Sequence, residues 1–300
     1  MQELINLSQE YLLGSHSDAV AVAVLDFKSH TYESFEIFHH EVNLKSSKIF
    51  FDYASLTKPL TNSFLALKEK VSAKDLLLLL NHKAGLPAWG LLPKHGWKEQ
   101  IQSYPIVESE TLYSDFSALR FMLELEQKMG AQYQDLVFQN LDPEVKYWRN
   151  LTPDDFCVPN GFYHGKPNIG AVHDPNAYNL KEFTSHAGLF GTIDALAKSL
   201  IGFNKNNDLL DVLTPVLENK SSRFVYGFDT VENPEATLAG KGCSSSTFGH
   251  LGFTGTSFWI DAQRQKGWIL LSNATKYFWF DKQELNLLRK KIGELVWQKF

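Results

Sequence analysis

Residues 51–60 read Phe51-Asp52-Tyr53-Ala54-Ser55-Leu56-Thr57-Lys58-Pro59-Leu60, and this stretch is the most informative part of the chain. Ser55 is the only serine with a lysine three positions later. On the first turn of a helix, this spacing puts the hydroxyl and the amine on one face. If burial or nearby positive charge lowers the pKa of the lysine, its amine can take the serine proton and make the hydroxyl nucleophilic. A helix-capping serine beside a solvated lysine is the simpler interpretation, and the tetrapeptide alone favours it.

The segments that follow change this interpretation. They are Leu78-Leu79-Leu80-Asn81-His82-Lys83-Ala84-Gly85-Leu86-Pro87, Tyr113-Ser114-Asp115, Ser185-His186-Ala187-Gly188-Leu189-Phe190 and Gly249-His250-Leu251-Gly252-Phe253-Thr254-Gly255-Thr256-Ser257-Phe258-Trp259-Ile260-Asp261. In this order and at these separations, the chain from about Val20 to its end resembles the class C β-lactamase-like serine hydrolases. That superfamily includes class C β-lactamases, D-alanyl-D-alanine carboxypeptidases and the related family VIII-type carboxylesterases.

The resemblance implies a catalytic group made of Ser55 as nucleophile, Lys58 as base and Tyr113 as proton relay. Tyr113 matches the tyrosine of the second family motif, usually Tyr-x-Asn, and we expect neighbouring cations to acidify its phenol. Taken in isolation, Tyr113 would be a packed aromatic at a loop–helix junction. Tyr133-Gln134-Asp135 repeats the Tyr-x-Asp pattern of Tyr113-Ser114-Asp115. The resemblance implies no catalytic site at this place in the chain, so we interpret the segment as surface or packing.

The third family motif is usually Lys-Thr-Gly or His-x-Gly, and the chain contains only the second form, at His186-Ala187-Gly188 and His250-Leu251-Gly252. The second copy lies on a predicted strand followed by a turn and another strand, as the family requires. We therefore expect His250 to supply a donor or partial positive charge and Gly252 to admit substrate. The backbone N–H groups of Phe253 and Ser55 would form the oxyanion hole. His186 is interpreted as a packed histidine.

Three positions bear on specificity. Asp115 replaces the asparagine of the second motif with a group that only accepts hydrogen bonds. Leu251 replaces a threonine hydroxyl that helps to bind substrate carboxylates in Lys-Thr-Gly and His-Thr-Gly members. These departures argue against a strong β-lactamase or carboxypeptidase. Asp174, in the turn-rich stretch 152–183, is either a substrate-binding residue of the cleft wall or part of an Asx-turn, with about even weight.

The periodicity predicts an α/β (α+β) protein. The predicted elements are a helix over 2–13, a hairpin over 19–27 and 31–38, helices over 60–70, 73–81, 116–129 and 193–203, strands over 224–229, 247–252, 256–261 and 268–272, and a last helix over about 282–299. This element order predicts a discontinuous α/β domain of residues 1–55 and 204–300, with residues 56–203 as an inserted, mainly helical region. The family resemblance implies that the sheet is antiparallel and flanked by the terminal helices, and that the active site lies between the two regions.

Composition limits the function classes. The chain has 300 residues, 44% of them hydrophobic, and a net charge of −5 without a basic stripe, which gives no support for nucleic-acid binding. No run approaches the roughly 18 apolar residues of a membrane span. The first residues lack a signal sequence, so we predict a cytoplasmic protein, or a periplasmic one if a leader was removed. The expected partner is a small ester, amide or peptide substrate, and the oligomeric state is left open.

No cofactor or metal is predicted. The histidines lack zinc-site spacing, His39-His40-Glu41 is interpreted as an exposed strand end, and no phosphate-binding glycine loop is present. Cys157 and Cys243 are interpreted as buried, reduced thiols.

Three functions compete on this basis. An esterase-like serine hydrolase is favoured. Within the same class, the alternative is a cytoplasmic D-Ala peptide or muropeptide hydrolase, or a weak penicillin-binding protein. The alternative of another class is a catalytically silent binding or regulatory protein on the same fold.

Overall fold

The fold is built on an antiparallel sheet with helices on both faces. The structure is a computed structural model, and it describes residues 1–130, 132–277 and 281–300. The helices are α1 (Gln2–Gly14), α2 (Phe64–Lys68), α3 (Lys74–Leu80), α4 (Trp97–Ser103), α5 (Asp115–Met129), α6 (Tyr133–Phe138), α7 (Pro175–Leu180), α8 (Ile193–Asn207), α9 (Leu209–Glu218) and α10 (Gln283–Lys299). The strands are β1 (Ala19–Asp26), β2 (Thr31–Phe38), β3 (Glu41–Asn43), β4 (Phe51–Asp52), β5 (Lys146–Tyr147), β6 (Phe162–Tyr163), β7 (Lys166–Pro167), β8 (Leu189–Gly191), β9 (Phe224–Val225), β10 (Phe228–Thr230), β11 (Thr247–Leu251), β12 (Ser257–Asp261) and β13 (Lys266–Ser272). Shorter helical turns are the 3-10 turns Ala54–Leu56 and Trp148–Asn150 and the π-helical turn Pro59–Ser63.

The main sheet joins the two ends of the chain. Its strand order is β3-β2-β1-β13-β12-β11-β10-β9, and all its pairs are antiparallel. β1 is an interior strand, paired along its length with β2 on one side and β13 on the other. The prediction of an antiparallel sheet flanked by the terminal helices is confirmed.

The sequence of β1 explains why helices cover both faces of the sheet. It begins with three Ala-Val repeats, and alternate residues of a strand point to opposite faces. The alanines belong to the core cluster shared with α8, whereas the valines belong to the cluster formed with α1 and α10. The small alanines leave room for a helix against the strand, and both faces are apolar because both are buried.

One predicted strand is wrong in detail. Residues 224–229 form two short strands, β9 and β10, because Tyr226 and Gly227 adopt left-handed conformations (φ 49° and 81°) and reverse the chain. The turn-rich stretch 152–183 also contains regular structure, the hairpin β6–β7 and helix α7.

The division into two domains stays a prediction. The boundary placed between residues 203 and 204 lies inside α8, which packs on β1, β2 and β13. Both cysteines are free thiols, Cys243 buried as expected and Cys157 only half-buried. Within the described ranges, no helix combines the length and the apolar character needed to cross a membrane.

Candidate active site

Ser55 lies in a tight turn that follows the short strand β4. Ala54–Leu56 form a 3-10 turn, and the helical backbone then continues through Lys58 into the π-helical turn and α2. Ala54, the residue before the serine, is held in the left-handed region at φ 48°. This conformation is strained for a residue with a Cβ and persists only where its surroundings fix it.

The side chain of Asp52 fixes this turn. Its Oδ1 accepts the N–H of Ala54 at 2.8 Å, and its Oδ2 accepts the His173 N–H at 2.7 Å and the Asn160 amide at 2.8 Å. Burial raises the pKa of Asp52 to about 7, against the effect of these donors. Asp52 therefore ties the serine turn to residues 160–173.

Lys58 is buried beside Ser55, as the spacing predicts. Its side chain is 4% exposed, and its Nζ lies 3.0 Å from Ser55 Oγ, 3.0 Å from the His186 carbonyl oxygen and 2.7 Å from Asp115 Oδ1. These three acceptors match the three protons of an ammonium group. Asp115 is thus the counter-ion of Lys58, a role that the sequence did not suggest.

The lowered pKa that would let Lys58 act as a neutral base is not found. Burial acts to lower it, but the Asp115 carboxylate and Tyr113 outweigh burial and raise the pKa of Lys58 above its ordinary value. Lys58 is therefore an ammonium in the resting protein.

Tyr113 lies between two buried histidines at the entrance of the site. Its ring centroid is 4.7 Å from that of His82 and 5.8 Å from that of His250, and Lys58 Nζ lies 5.1 Å from its ring centre. The side chain is 37% exposed. Desolvation nevertheless raises the pKa of the Tyr113 phenol, and Lys58 only partly opposes this rise. The expected acidification is therefore wrong, and the phenol remains a proton donor.

His82 holds the segment that carries Tyr113. Its Nδ1 accepts the N–H of Ser114 at 3.2 Å, and its carbonyl oxygen accepts the N–H of Leu112 at 2.9 Å. His82 belongs to the second sequence segment quoted above, but no role was predicted for it. It lies two residues after the end of α3, in the left-handed region at φ 57°.

His250 lies on β11 beside Tyr113 and is 2% exposed. Its Nδ1 lies 2.9 Å from the Leu251 carbonyl oxygen, which can only accept, so Nδ1 carries the proton. Burial, followed by the charges of Lys58 and Arg223, lowers the pKa of His250 to about 3. Neither the donor nor the partial positive charge that was expected of His250 fits this state. His250 is neutral, and its buried Nε2, which has no partner among the described residues, is an acceptor.

Gly252 and Phe253 follow His250 on the wall of the same pocket as Ser55. A Cβ on Gly252 would collide with Thr256 Oγ1 and with the Tyr53 carbonyl oxygen, so the glycine lets the end of β11 pack against the serine turn. Close packing explains this glycine directly, whereas access for substrate stays a prediction. The oxyanion role of the Phe253 and Ser55 N–H groups also stays a prediction.

Asp174 lies in a hydrogen-bonded turn, one of its two predicted roles. Its Oδ1 caps α7 by accepting the Ala177 N–H at 2.8 Å and lies 2.9 Å from His186 Nε2. Desolvation acts to raise the pKa of Asp174. His186 and the hydrogen bond from the Ala177 N–H outweigh it, and the pKa of Asp174 falls to about 2. The predicted substrate contact of Asp174 stays untested. His186 is packed as expected, and its carbonyl oxygen also positions Lys58.

Asp115, Asp174 and His186 place potential ligand atoms within 4.8 Å of one another. Asp115 is already paired with Lys58, and Asp174 with His186. We interpret the group as two ion or hydrogen-bonded pairs rather than a metal centre.

A pocket of about 470 Å³ opens at Ser55. Tyr113, Phe224, Leu251 and Phe253 give it a largely apolar wall. Its far side carries Lys282 and Arg289, cations that the sequence analysis did not identify.

Arg289 is 4% exposed, and in the described part of the chain no carboxylate lies within ion-pair distance of it or of Lys282. Burial lowers the pKa of Arg289 to about 10 and that of Lys282 to about 8. The sequence feature that could have identified Arg289 is its place within the apolar stripe of α10, next to Leu288 and one turn before Ile292. The arrangement can accept an anionic group beside an apolar one.

Known proteins place the chain in a family. A β-lactamase family model matches residues 67–290, about three quarters of the chain, beginning after Ser55 and Lys58. No curated protein sequence gave a significant match.

Solved structures share the fold at low identity. A class C β-lactamase mutant is 11% identical, with a TM-score of 0.66 over 100% of this chain and 97% of that one. SurE is 13% identical, with a TM-score of 0.62 over 91% and 72%. A β-lactamase from Mycobacterium bovis is 16% identical, with a TM-score of 0.58 over 96% and 97%. With the family match over most of its length, the chain belongs to the β-lactamase family.

Proposed function

We propose that the protein is a serine hydrolase that cleaves a small ester or amide through an acyl-Ser55 intermediate, with esters favoured. The distance of 3.0 Å between Ser55 Oγ and Lys58 Nζ, at the edge of the 470 Å³ pocket, carries this proposal. A serine in hydrogen-bond contact with a lysine, next to a space for a reacting carbonyl, is the arrangement that covalent acyl transfer requires.

The neighbouring groups have complementary roles. Lys58, as an ammonium, stabilises negative charge that develops on the serine oxygen, and the Tyr113 phenol can donate a proton toward the leaving group. His250 lines the pocket, and its Nε2, unpartnered within the described part of the chain, can accept a hydrogen bond from a substrate. The N–H groups of Ser55 and Phe253 receive the oxyanion in this proposal.

A second candidate follows from Lys282 and Arg289. These two cations lack a carboxylate partner among the described residues and face the pocket that contains Ser55, which favours a substrate carrying a carboxylate. D-Ala peptides, muropeptides and penicillins have this chemistry. Leu251 opposes it, because a leucine cannot donate a hydrogen bond to the carboxylate.

The alternative of another class is a binding protein without turnover. The Lys58–Asp115 ion pair favours it, because this pair keeps Lys58 protonated and a protonated lysine cannot act as a base. A fluorescent fluorophosphonate and a fluorescent penicillin, followed by mass mapping, separate the three candidates. Labelling at Ser55 by the phosphonate with turnover of neutral esters supports the esterase. Preferential labelling by penicillin supports the second candidate, and no labelling by either probe supports the binding protein.

A further inference from the structure

Asp115 stands at the end of a continuous hydrogen-bonded path that starts at the Ser55 hydroxyl. The path runs 3.0 Å from Ser55 Oγ to Lys58 Nζ and 2.7 Å from Lys58 Nζ to Asp115 Oδ1. We infer that Asp115 is the final acceptor in the transfer of the Ser55 proton, and that Lys58 gives one proton to Asp115, takes the serine proton and so ends the step as an ammonium. This inference rests on the proposed acyl-Ser55 chemistry, and Asp115 acts through Lys58 without touching substrate.

Among the described residues, Lys58 Nζ has four hydrogen-bond partners, which are Ser55 Oγ, the Tyr113 phenol, the His186 carbonyl oxygen and Asp115 Oδ1. A peptide carbonyl is far too weak a base to take a Lys58 proton, and the raised pKa of the Tyr113 phenol keeps that group a proton donor. Asp115 is the carboxylate among these partners and is therefore the acceptor of that proton.

Asp115 can accept a proton without destabilising α5, because it is not the N-cap of that helix. The N-cap of α5 is Ser114, whose Oγ accepts the Ser117 N–H at 2.9 Å. The Asp115 side chain is 16% exposed and makes its ion pair with Lys58. Its carboxylate is therefore not needed to begin α5.

The charged and titratable groups around this pair come from every neighbouring segment. They are Tyr113 before α5, His82 after α3, His250 on β11, Arg223 before β9, Asp174 at the start of α7, and its partner His186 before β8. His82 and His250 are neutral because burial lowers the pKa of each. Asp174 is engaged by His186, and Arg223 by Asp229. Asp115 is thus the carboxylate in direct contact with Lys58.

The step balances as two coupled proton transfers. A Lys58 proton moves to Asp115, and the amine turns the freed lone pair toward Ser55 and takes the serine proton. The Ser55 oxygen bonds to the carbonyl carbon as its proton leaves, and the carbonyl π electrons move onto oxygen. The intermediate collapses to acyl-Ser55 as the leaving oxygen takes a proton from the Tyr113 phenol, Tyr113 regains one from Lys58, and Lys58 regains one from Asp115. The alcohol departs with Asp115 again a carboxylate and Lys58 an ammonium. Deacylation by water repeats the two steps.

The pH profile of Asp115→Asn tests this role. Without the carboxylate, burial becomes the main influence on Lys58 and lowers its pKa, so Lys58 must be deprotonated before it can accept the serine proton. In wild type Lys58 delivers a proton to Asp115 during the step, so the rate does not depend on a lysine that is already deprotonated. In Asp115→Asn we expect the acidic limb of kcat/KM to move up by at least about two pH units, with a loss of about 100-fold or more at pH 7.

The matched control is Glu124→Gln, which removes another carboxylate of α5, one paired with Arg120, and should leave the profile unchanged. Asp115→Ala should regain activity on addition of formate, which a purely structural role would not produce. Circular dichroism and thermal melting check folding, and Asp115→Glu, which keeps the carboxylate, serves if the other variants unfold.

Phosphonate labelling of wild-type Ser55 is measured first, because an unlabelled wild type overturns the proposed function and this inference with it. A labelled wild type with an unmoved acidic limb in Asp115→Asn overturns the inference alone. A rate of Asp115→Asn at pH 7 that is equal to or above that of wild type also overturns the inference, because the only effect of Asp115 would then be to keep Lys58 protonated.

Discussion

Replacing Arg289 by Gln should selectively weaken turnover of substrates that carry a carboxylate. Arg289 uses three of its five N–H donors within the protein, toward Ser257 Oγ at 3.3 Å, the Thr256 carbonyl oxygen at 2.9 Å and Asn286 Oδ1 at 2.9 Å. Two donors remain for a ligand. A hydrogen bond to a charged group contributes about 1.5–3 kcal/mol, so the loss in kcat/KM should be about 10- to 150-fold.

The assay compares substrates that differ only in the carboxylate. Phenyl acetate and 3-acetoxybenzoate place it on the leaving group, and the p-nitrophenyl esters of valeric acid and glutaric acid place it on the acyl group. For the neutral member of each pair, the rate should change by less than about threefold in Arg289→Gln, within the range of remote positioning effects. Thermal melting checks that the loss of internal hydrogen bonds has not unfolded the variant.

Lys282 adds a pH signature to the same experiment. Burial lowers its pKa to about 8, so its positive charge is present below pH 8 and is lost as the pH rises through that value. The wild-type preference for the carboxylate member should therefore fall above pH 8, and Lys282→Gln should remove this pH dependence while leaving neutral esters unaffected. Equal losses on charged and neutral substrates in Arg289→Gln would refute the argument, because Arg289 would then act through the packing of α10.

Further substitutions test the remaining assignments. Ser55→Ala should lose turnover and covalent labelling without loss of thermal stability, and an acyl-enzyme in this variant would remove Ser55 as nucleophile. Lys58→Ala should be almost as inactive, and the double variant no worse than either single one, because residues that act as one unit are strongly non-additive. Multiplying losses in steady-state rates would argue against cooperation. Tyr113→Phe should lose on the order of 100-fold if the phenol transfers a proton, whereas a near-wild-type rate would leave Tyr113 a packing role. Leu251→Thr, alone or with Asp115→Asn, should raise acylation by penicillin about 10-fold or more relative to ester hydrolysis in the same variant, and efficient penicillin hydrolysis by wild type would contradict this reading of Leu251.

Local patterns were sufficient to predict most of the elements. The terminal helices and the strands of the main sheet have strong periodicity, and the three-residue spacing of Ser55 and Lys58 determines their proximity once the backbone is helical. The split of residues 224–229 was missed because a left-handed tyrosine before a glycine leaves the apolar pattern of a strand intact.

The charges of the site could not be predicted in the same way. The ammonium state of Lys58 depends on Asp115, which is far away in sequence and reaches it only through the packing of α5. The neutral state of His250 depends likewise on burial and on the charges of Lys58 and Arg223, which outweigh the hydrogen bond to the Leu251 carbonyl oxygen. A pKa is set by neighbours in space, and a motif gives only neighbours in sequence.

The contacts of Asp52 have a consequence for the order of events during folding. Through this one carboxylate, the serine turn depends on residues far along the chain, and Thr254 adds a further link by donating to the Asp52 carbonyl oxygen at 2.7 Å. Contacts between distant segments form slowly because long loops must close first. In a refolding experiment, the recovery of covalent labelling at Ser55 should therefore trail the recovery of helix and strand. The recovery of labelling would then report the completion of the native state, whereas the circular dichroism signal would recover earlier.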